Sequence, residues 1–375
     1  MRLAIFAHTW LSDWNHGNAH FLRGLARALI ARGHQVLALE GQPGHWGAWS
    51  LAQLFAEEPM MAASAIQEFR RLYPELKPEF FPCARHWPQV AEAWLKERLR
   101  DANVVLMHEW NEPELAAILA GLRRRLGFKL LLLDTHHRGF SQPEAIARFP
   151  LDEFDGVLAF GESLRQLYLT RFQVRRAWCF HEAADVSVFQ PQPAESAAGA
   201  DVVWIGNWGD EERTGQLREF LLMPAQRLPQ YRFLAHGVRY PEWAQAEMRR
   251  HGIRYAGYLP NLRAMEVYGG ARVSVHIPRQ PYSGGLGGIP TIRVFEALAC
   301  GIALLSSPWQ DQEGLFEAGR DYWVARNGAE MTALLEELLT HDRQRRELAR
   351  QGRETVLRRH TCQHRARELE AICAA

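Results

Sequence analysis

The sequence predicts an α/β protein built from two doubly wound domains in succession. Three observations carry this. Short apolar runs alternate with amphipathic helical segments, a proline- and alanine-rich stretch at 182–200 interrupts the alternation, and the same pattern restarts after it. At 375 residues and 47% apolar, the chain is long enough for two ordinary domains.

The elements follow in order. Residues 2–7 read as a strand, and a loop with Trp10, Asp13, Trp14, His16, Gly17 and Asn18 comes next. Residues 19–32 form a helix with Phe21, Leu22, Leu25, Ala28 and Leu29 on one side, stopped by Gly33. A strand at 36–39 precedes a less regular stretch, 41–90. A short buried strand at 104–107 ends in His108-Glu109-Trp110-Asn111, Pro113 opens a helix that Gly127 closes, and a strand at 130–133 ends in Asp134-Thr135-His136-His137-Arg138. A strand at 155–160, a helix from Glu162 and a strand at 176–180 complete the half. Continuous apolar runs between helices indicate parallel sheets covered on both faces. In the second half, strands fall near 201–206, 231–235, 253–256, 272–277, 302–306 and 321–325, and helices near 328–340, 342–358 and 362–373 end the chain. The expected domains are 1–182 and 183–358, with a helix in 359–375 packing back on the first. Ligand sites are expected at strand carboxyl ends and in a cleft that the two domains face across.

Composition narrows the function classes. A net charge of +1 and a pI near 7.8 argue against a dedicated nucleic-acid binder. The longest apolar runs fall short of a membrane span, and residues 1–8 read as a first strand, not a signal peptide. Five scattered cysteines, without metal-ligand spacing, fit a reduced cytoplasmic compartment. Membrane contact is at most peripheral, at the inner face, through Arg123-Arg124-Arg125; such charges at a helix C-terminus are usually just solvated. Only Lys77, Lys96 and Lys129 are lysines, so any phosphate held by the second half is held by arginine, histidine or backbone.

The most informative segment is 284–306. A glycine loop (Gly284, Gly285, Gly287, Gly288) lets backbone amides approach a ligand, Pro290 suits the first turn of a helix, and Gly301 suits its left-handed stop. The helix start is an anion site by its free N–H groups and dipole. Arg293 and Glu296 share a face, offering a cation for a phosphate and a carboxylate for hydroxyls one turn deeper. A nucleotide-sugar needs both. The bland alternative is a surface helix pair worth a few tenths of a kcal/mol.

Four motifs then carry a resemblance. Gly17-Asn18-Ala19 with the helix that follows it and Gly33-His34-Gln35-Val36 looks like an opening glycine loop and "rGHeV" helix end. Glu182-Ala183-Ala184-Asp185 with Phe189 and Pro191 looks like "pNGVD…F.P", Val203-Trp204-Ile205-Gly206-Asn207 like "fvG", and the run Arg293 to Gly301 like "EAmAcG.Pvv". Together they span nearly the whole chain and resemble glycosyltransferases of the two-domain GT-B fold, near family 4 and the CgeB-like spore-maturation branch. The resemblance implies a transferase, a hexosyltransferase by preference, with no cofactor expected. Arginines and helix N-termini can neutralise the leaving group without metal, and no residue spacing demands a metal site. Such an enzyme would move sugar from a nucleotide-diphosphate donor to a glycan, lipid-linked or small-molecule acceptor, in surface polysaccharide or glycolipid synthesis. The resemblance puts Glu296 on the donor ribose and Gly17 beside the diphosphate. The donor set expected here is Gly17, Asn207, Arg213, Arg279, Gly287, Gly288, Thr291, Arg293 and Glu296. Two departures stand out: Gly288 occupies the place of a second family glutamate, and the diphosphate lysine is absent, with Arg213, Arg279 or Arg293 to replace it.

A base or acceptor-positioning group belongs to the first domain. His136 and His16 rank first, then Asp13 and Glu109, with His108 and Asp134 also at strand ends. A retaining enzyme needs no protein base; an inverting one needs a carboxylate or histidine. Zinc on Asp134, His136 and His137 is disfavoured because adjacent residues leaving a strand point apart. Trp10, Trp14, Trp46, Trp49 and Trp110 offer either a sugar-stacking platform or core packing. Two rivals stay open: a nucleotide-sugar epimerase on the same fold, and a non-catalytic sugar-nucleotide-binding or structural protein, which Gly288 would favour.

Overall fold

The structure is a computed structural model and describes residues 1–42, 49–192, 199–209 and 211–375, the side chain of Glu212 excepted. Trp46 and residues 193–198 of the expected connector lie outside the described residues. The chain divides into two compact units, Met1–Glu182 with Cys362–Ala375, and Ala183–Thr361.

Unit 1 carries seven strands: β1 Arg2–Phe6, β2 Gln35–Gly41, β3 Glu79–Phe81, β4 Val104–His108, β5 Lys129–Asp134, β6 Gly156–Ala159 and β7 Ala177–Cys179. They pair in parallel in the order β3-β2-β1-β4-β5-β6-β7. The middle strands bury both faces; every residue of β4 is buried, as its unbroken apolar run requires. The helix Pro113–Leu126 starts on a proline and ends at Gly127 with φ +78, whose N–H reaches the Arg123 carbonyl. Arg123, Arg124 and Arg125 in its last turn pair with Asp155, Glu153 and Glu92 respectively, so this triplet is neutralised by carboxylates. The C-terminal helix Cys362–Ala374 packs on the helix Ala19–Ala31: Glu370 accepts from Arg32 Nε and Nη2 at 2.7 and 2.6 Å.

The stretch 41–90 is more regular than the sequence pattern suggests. It contains the helices Trp49–Glu57 and Pro59–Leu72 and the edge strand β3. A three-residue strand between Pro78 and Pro82 leaves no periodicity to detect, and in the Pro59–Leu72 helix only Ala62, Ala65 and Phe69 are buried.

Unit 2 repeats the arrangement with β8 Val202–Ile205, β9 Phe233–His236, β10 Ile253–Tyr255, β11 Val273–His276, β12 Ala303–Ser306 and β13 Trp323–Val324. The order is β10-β9-β8-β11-β12-β13, again parallel. Both sheets therefore reverse direction once, between β1 and β4 and between β8 and β11. At such a switch point the flanking loops part, and a crevice opens at the carboxyl ends of the strands. The helix Ile292–Ala299 is buried nearly all round, with Ile292, Val294, Phe295, Ala297, Leu298 and Ala299 out of solvent. Phe295 meets Phe316 and His360 edge-on, at 5.4 and 5.7 Å. Burying a phenyl ring of this kind stabilises by about 1.5–3 kcal/mol, so this helix has one place it can sit.

Candidate functional site

In unit 1 the carboxyl ends of β1, β4 and β5 bring together most of the expected proton-transfer candidates. His16 is buried, its ring 4.8 Å from that of His8 and 5.9 Å from that of His108. It reaches this place through a tight loop: Asn15 takes φ +49, which asparagine tolerates, and His16 N–H closes the turn onto the Asp13 carbonyl. Burial, then the neighbouring His8 and His108, hold the His16 imidazole well below its ordinary pKa. Burial lowers His108 as well, followed by His8 and Arg138. Two neutral imidazoles thus sit side by side.

The acids of this cluster are pushed the other way. Asp134 and Glu109 are both fully buried. Asp134 accepts from the His136 N–H at 2.9 Å and the Tyr168 hydroxyl at 2.6 Å. The Glu109 carboxyl group faces the backbone N–H groups of Glu109 and Thr135. Burial raises both acids, and the charge of Asp134 raises Glu109 further, so a proton shared by the pair resides on Glu109. His108 Nε2 lies 3.0 Å from Glu109 Oε2 and 2.8 Å from the Thr135 hydroxyl. With the imidazole neutral and the acid protonated, that contact is no ion pair. Arg138, buried, donates to the Glu109 carbonyl at 3.1 Å and lies 4.4 Å over the Trp110 ring.

His136 is the half-buried member, its ring 5.2 Å from Trp110. The expected divergence of His136 and His137 does not occur. Their rings lie 4.0 Å apart, because the strand stops at Asp134 and the chain turns at once into the helix Arg138–Ser141. His137 Nδ1 lies 2.7 Å from the Ser141 hydroxyl, so His137 is tied to that turn. Asp13 stands apart, paired with buried Arg23 at 3.3 Å; Arg23 also donates to the Trp10 and Ser12 carbonyls. That loop is anchored further by Glu40, which accepts from Thr9 and the Trp10 and Leu11 N–H groups. Gly17 lies in the same loop. Its neighbour Asn18 gives its side-chain amide to Thr135, tying the first helix to the end of β5. Trp10 and Trp14 are core residues, whereas Trp49 is 38% exposed and Trp110 half-buried.

In unit 2 the donor candidates gather around the carboxyl ends of β8, β11 and β12. Asn207 follows β8 and accepts from the Val238 N–H at 2.9 Å. Arg213 donates to the Ile277 carbonyl at 2.6 Å and stands 5.4 Å over Trp204; Gly209 lies beside both Arg213 and Arg279. Thr291 is the N-cap of the helix Ile292–Ala299, so Pro290 precedes the cap and does not open the first turn as expected. The reason is Thr291 itself, held extended at φ −78 and ψ 162. Its hydroxyl lies 3.2 Å from His276 Nε2 and leaves the first turn without a side-chain cap. His276, kept neutral at about 3 by burial and by Arg213, also reaches the Ser306 hydroxyl at 3.0 Å, bracing the helix start against β11 and β12.

Arg293 and Glu296 do share a face: the guanidinium donates to Glu296 Oε2 at 2.5 Å. Glu296 is fully buried, and its other oxygen accepts from Asn261 Nδ2 at 2.7 Å. A carboxylate in an otherwise apolar helix is tolerated only with such partners. Gly288 has φ +93, and a side chain there would meet the backbone of Gln310 and Gln312 at 2.6–2.7 Å. The loop therefore demands glycine where related sequences are expected to carry glutamate. Gly287 packs against the Gln312 side chain, whereas a side chain at Gly284 would meet open space. Asn261, His276 and Glu40 were not singled out from the sequence. His276 had a signal, as a titratable residue closing an apolar strand, the same signal that marked His108 and Asp134.

Comparison with known proteins bears on these two constellations. Residues 213–371 match the family model described as "Glycosyl transferase-like". Anabaena HepE in complex with UDP-glucose superposes with a TM-score of 0.67 at 12% identity, covering 100% of both chains. Sucrose-phosphate synthase from Thermosynechococcus elongatus gives 0.64 at 14%, covering 99% of this chain and 98% of that one. An alpha-glucosyltransferase in complex with UDP and a 13-mer DNA gives 0.67 at 10%, covering 100% of both. The chain has the GT-B fold. No curated protein matches in sequence. Among the described residues no helix is long and apolar enough to cross a membrane.

Proposed function

We propose that this protein is a glycosyltransferase that moves a sugar, by preference a hexose, from a nucleotide-diphosphate donor to an acceptor hydroxyl. The observation that carries the reading is the helix Ile292–Ala299 at the carboxyl end of the unit 2 sheet. It begins without a side-chain cap, carries Arg293 and Glu296 one turn apart, and lies within the residues that match the glycosyl transferase-like family model. UDP is the first donor nucleotide to test, since HepE and the alpha-glucosyltransferase hold it. Placement near family 4 or the CgeB-like branch, and a role in surface polysaccharide or glycolipid synthesis in the cytoplasm, belong to the same proposal.

The chemistry follows from the residues. Departure of the nucleoside diphosphate builds negative charge, which in this reading Arg213, Arg279, Arg293 and the first turn of the helix stabilise. These permanent cations supply what a divalent metal supplies elsewhere, so neither metal nor cofactor enters the proposal. Glu296 serves the ribose, with Arg293 exchanging from the carboxylate to the diphosphate as the donor binds. In unit 1, His136 is the half-buried group suited to the acceptor hydroxyl, braced through Asp134.

The test is a screen of UDP-, GDP-, dTDP- and CMP-sugars with hydroxyl acceptors, following nucleotide release with and without EDTA. Nucleotide release coupled to sugar transfer, unchanged by EDTA, is the expected result. Sugar interconversion without nucleotide release would establish the epimerase instead, and tight nucleotide binding with neither reaction would establish a binding protein.

A further inference from the structure

Asn261 opens the turn Asn261–Arg263 that follows Pro260 and is 4% exposed. Its Nδ2 donates to Glu296 Oε1 at 2.7 Å. This contact fixes the amide, because a carboxylate only accepts and an amide oxygen turned toward it would be repelled. Oδ1 must therefore point the other way. There it is buried and without a hydrogen-bond partner among the described residues. Buried side-chain acceptors are nearly always satisfied, and one left open marks a place where a donor is missing.

We propose that Asn261 is a second recognition group for the ribose of the nucleotide donor, its Oδ1 accepting from one ribose hydroxyl beside the Glu296 carboxylate. The inference rests on the donor reading above and extends it. Asn261 Oδ1 and Glu296 present acceptors only, so their ligand must bring donors. Two hydroxyls on adjacent carbons meet an amide oxygen and a carboxylate side by side. Uracil offers the same chemistry less well, because its ring N–H is flanked by carbonyls that would face the two acceptors. The Nδ2 contact gives Asn261 a second task, holding the Glu296 oxygen in register with its own.

Titration calorimetry with UDP, 2′-deoxy-UDP, 3′-deoxy-UDP and CDP on wild type, Asn261→Ala and Asn261→Ser tests this. Wild type is expected to bind UDP about tenfold more tightly than at least one deoxynucleotide. In Asn261→Ala, UDP weakens about tenfold and the preference over one deoxynucleotide collapses to within twofold, while the UDP-to-CDP ratio stays put. Asn261→Ser reads the same ratios if the alanine variant does not fold. Unchanged UDP affinity, equal weakening of all four nucleotides, or a change confined to the UDP-to-CDP ratio would each overturn the inference, the last by assigning Asn261 to the base. A wild type that binds no nucleoside diphosphate at all would instead remove the donor reading, and this inference with it.

Discussion

The two units share a strand order and use it for opposite electrostatic ends. At its switch point unit 1 gathers acid–base groups drawn toward their neutral forms: burial holds His16 and His108 neutral, raises Glu109 well above the usual carboxylate range and lifts Asp134 to about 6. Unit 2 gathers mainly permanent positive charge, the guanidinium groups of Arg213, Arg279 and Arg293, with one buried carboxylate and the neutral imidazole of His276 among them. Uncharged acid–base groups suit proton transfer at a hydroxyl, and permanent cations suit a departing diphosphate. In the proposed function, the same scaffold would separate proton chemistry from charge stabilisation by the choice of side chains at the strand ends.

The largest effect should come from unit 2. Arg293→Ala removes a diphosphate cation and leaves buried Glu296 short of a partner, and kcat/KM for transfer should fall about 10²–10³-fold with a raised donor KM. His136→Ala should lower kcat about 10²-fold while leaving UDP affinity unchanged, since it belongs to the acceptor side of the account. Steady-state kinetics with calorimetry separates the two. If both variants moved donor KM alone, the division between units would be wrong.

Acid should also distinguish the units. In unit 2, burial holds His236 at about 4 and His276 at about 3. Below about pH 6.5 the unfolded chain takes up protons on these imidazoles that the folded chain refuses, so stability present above that pH is lost on acidification. At pH 5 this costs about 2 kcal/mol per imidazole, opposed in part by the raised pKa of Asp311. In unit 1 the same loss at His16 and His108 is offset by Glu109, Asp134 and Glu40, which stay protonated to higher pH in the fold than out of it. Those acids lend stability at low pH that is lost as pH rises. Native-state hydrogen exchange at pH 7 and pH 5, corrected for intrinsic rates, should show unit 2 loosening and unit 1 nearly unchanged. Equal loosening would contradict the neutralised cluster.

The smallest effect lies inside one loop. Gly288→Ala must fit a side chain at φ +93 against the backbone at 310–312, and should cost about 1–3 kcal/mol and weaken nucleotide binding. Gly284→Ala faces open space and should change melting by less than about 0.5 kcal/mol.

Both parallel sheets were legible in the sequence, because strands such as β4 and β5 are continuous apolar runs between helices with clear stops at Gly33, Gly127 and Gly301. The stretch 41–90 was not, because β3 is too short for periodicity and its flanking helices expose most of their surface. Strand-end logic found His108, Glu109, Asp134 and His136. It did not reveal that Asp13 is committed to Arg23, since the partner lies a helix away, nor that His136 and His137 stay together, since the turn between them follows from the helix that begins at Arg138. Asn261 left no sequence signal; its place beside Glu296 is created by tertiary contact alone.

Whether the helix Ile292–Ala299 holds a nucleotide diphosphate is tested most directly by hydrogen–deuterium exchange with and without saturating UDP. Protection should concentrate in the peptides spanning 284–296 and be lost in Arg293→Ala. UDP binding that leaves those peptides unprotected, or protects the β4 and β5 ends of unit 1 instead, would contradict the donor reading.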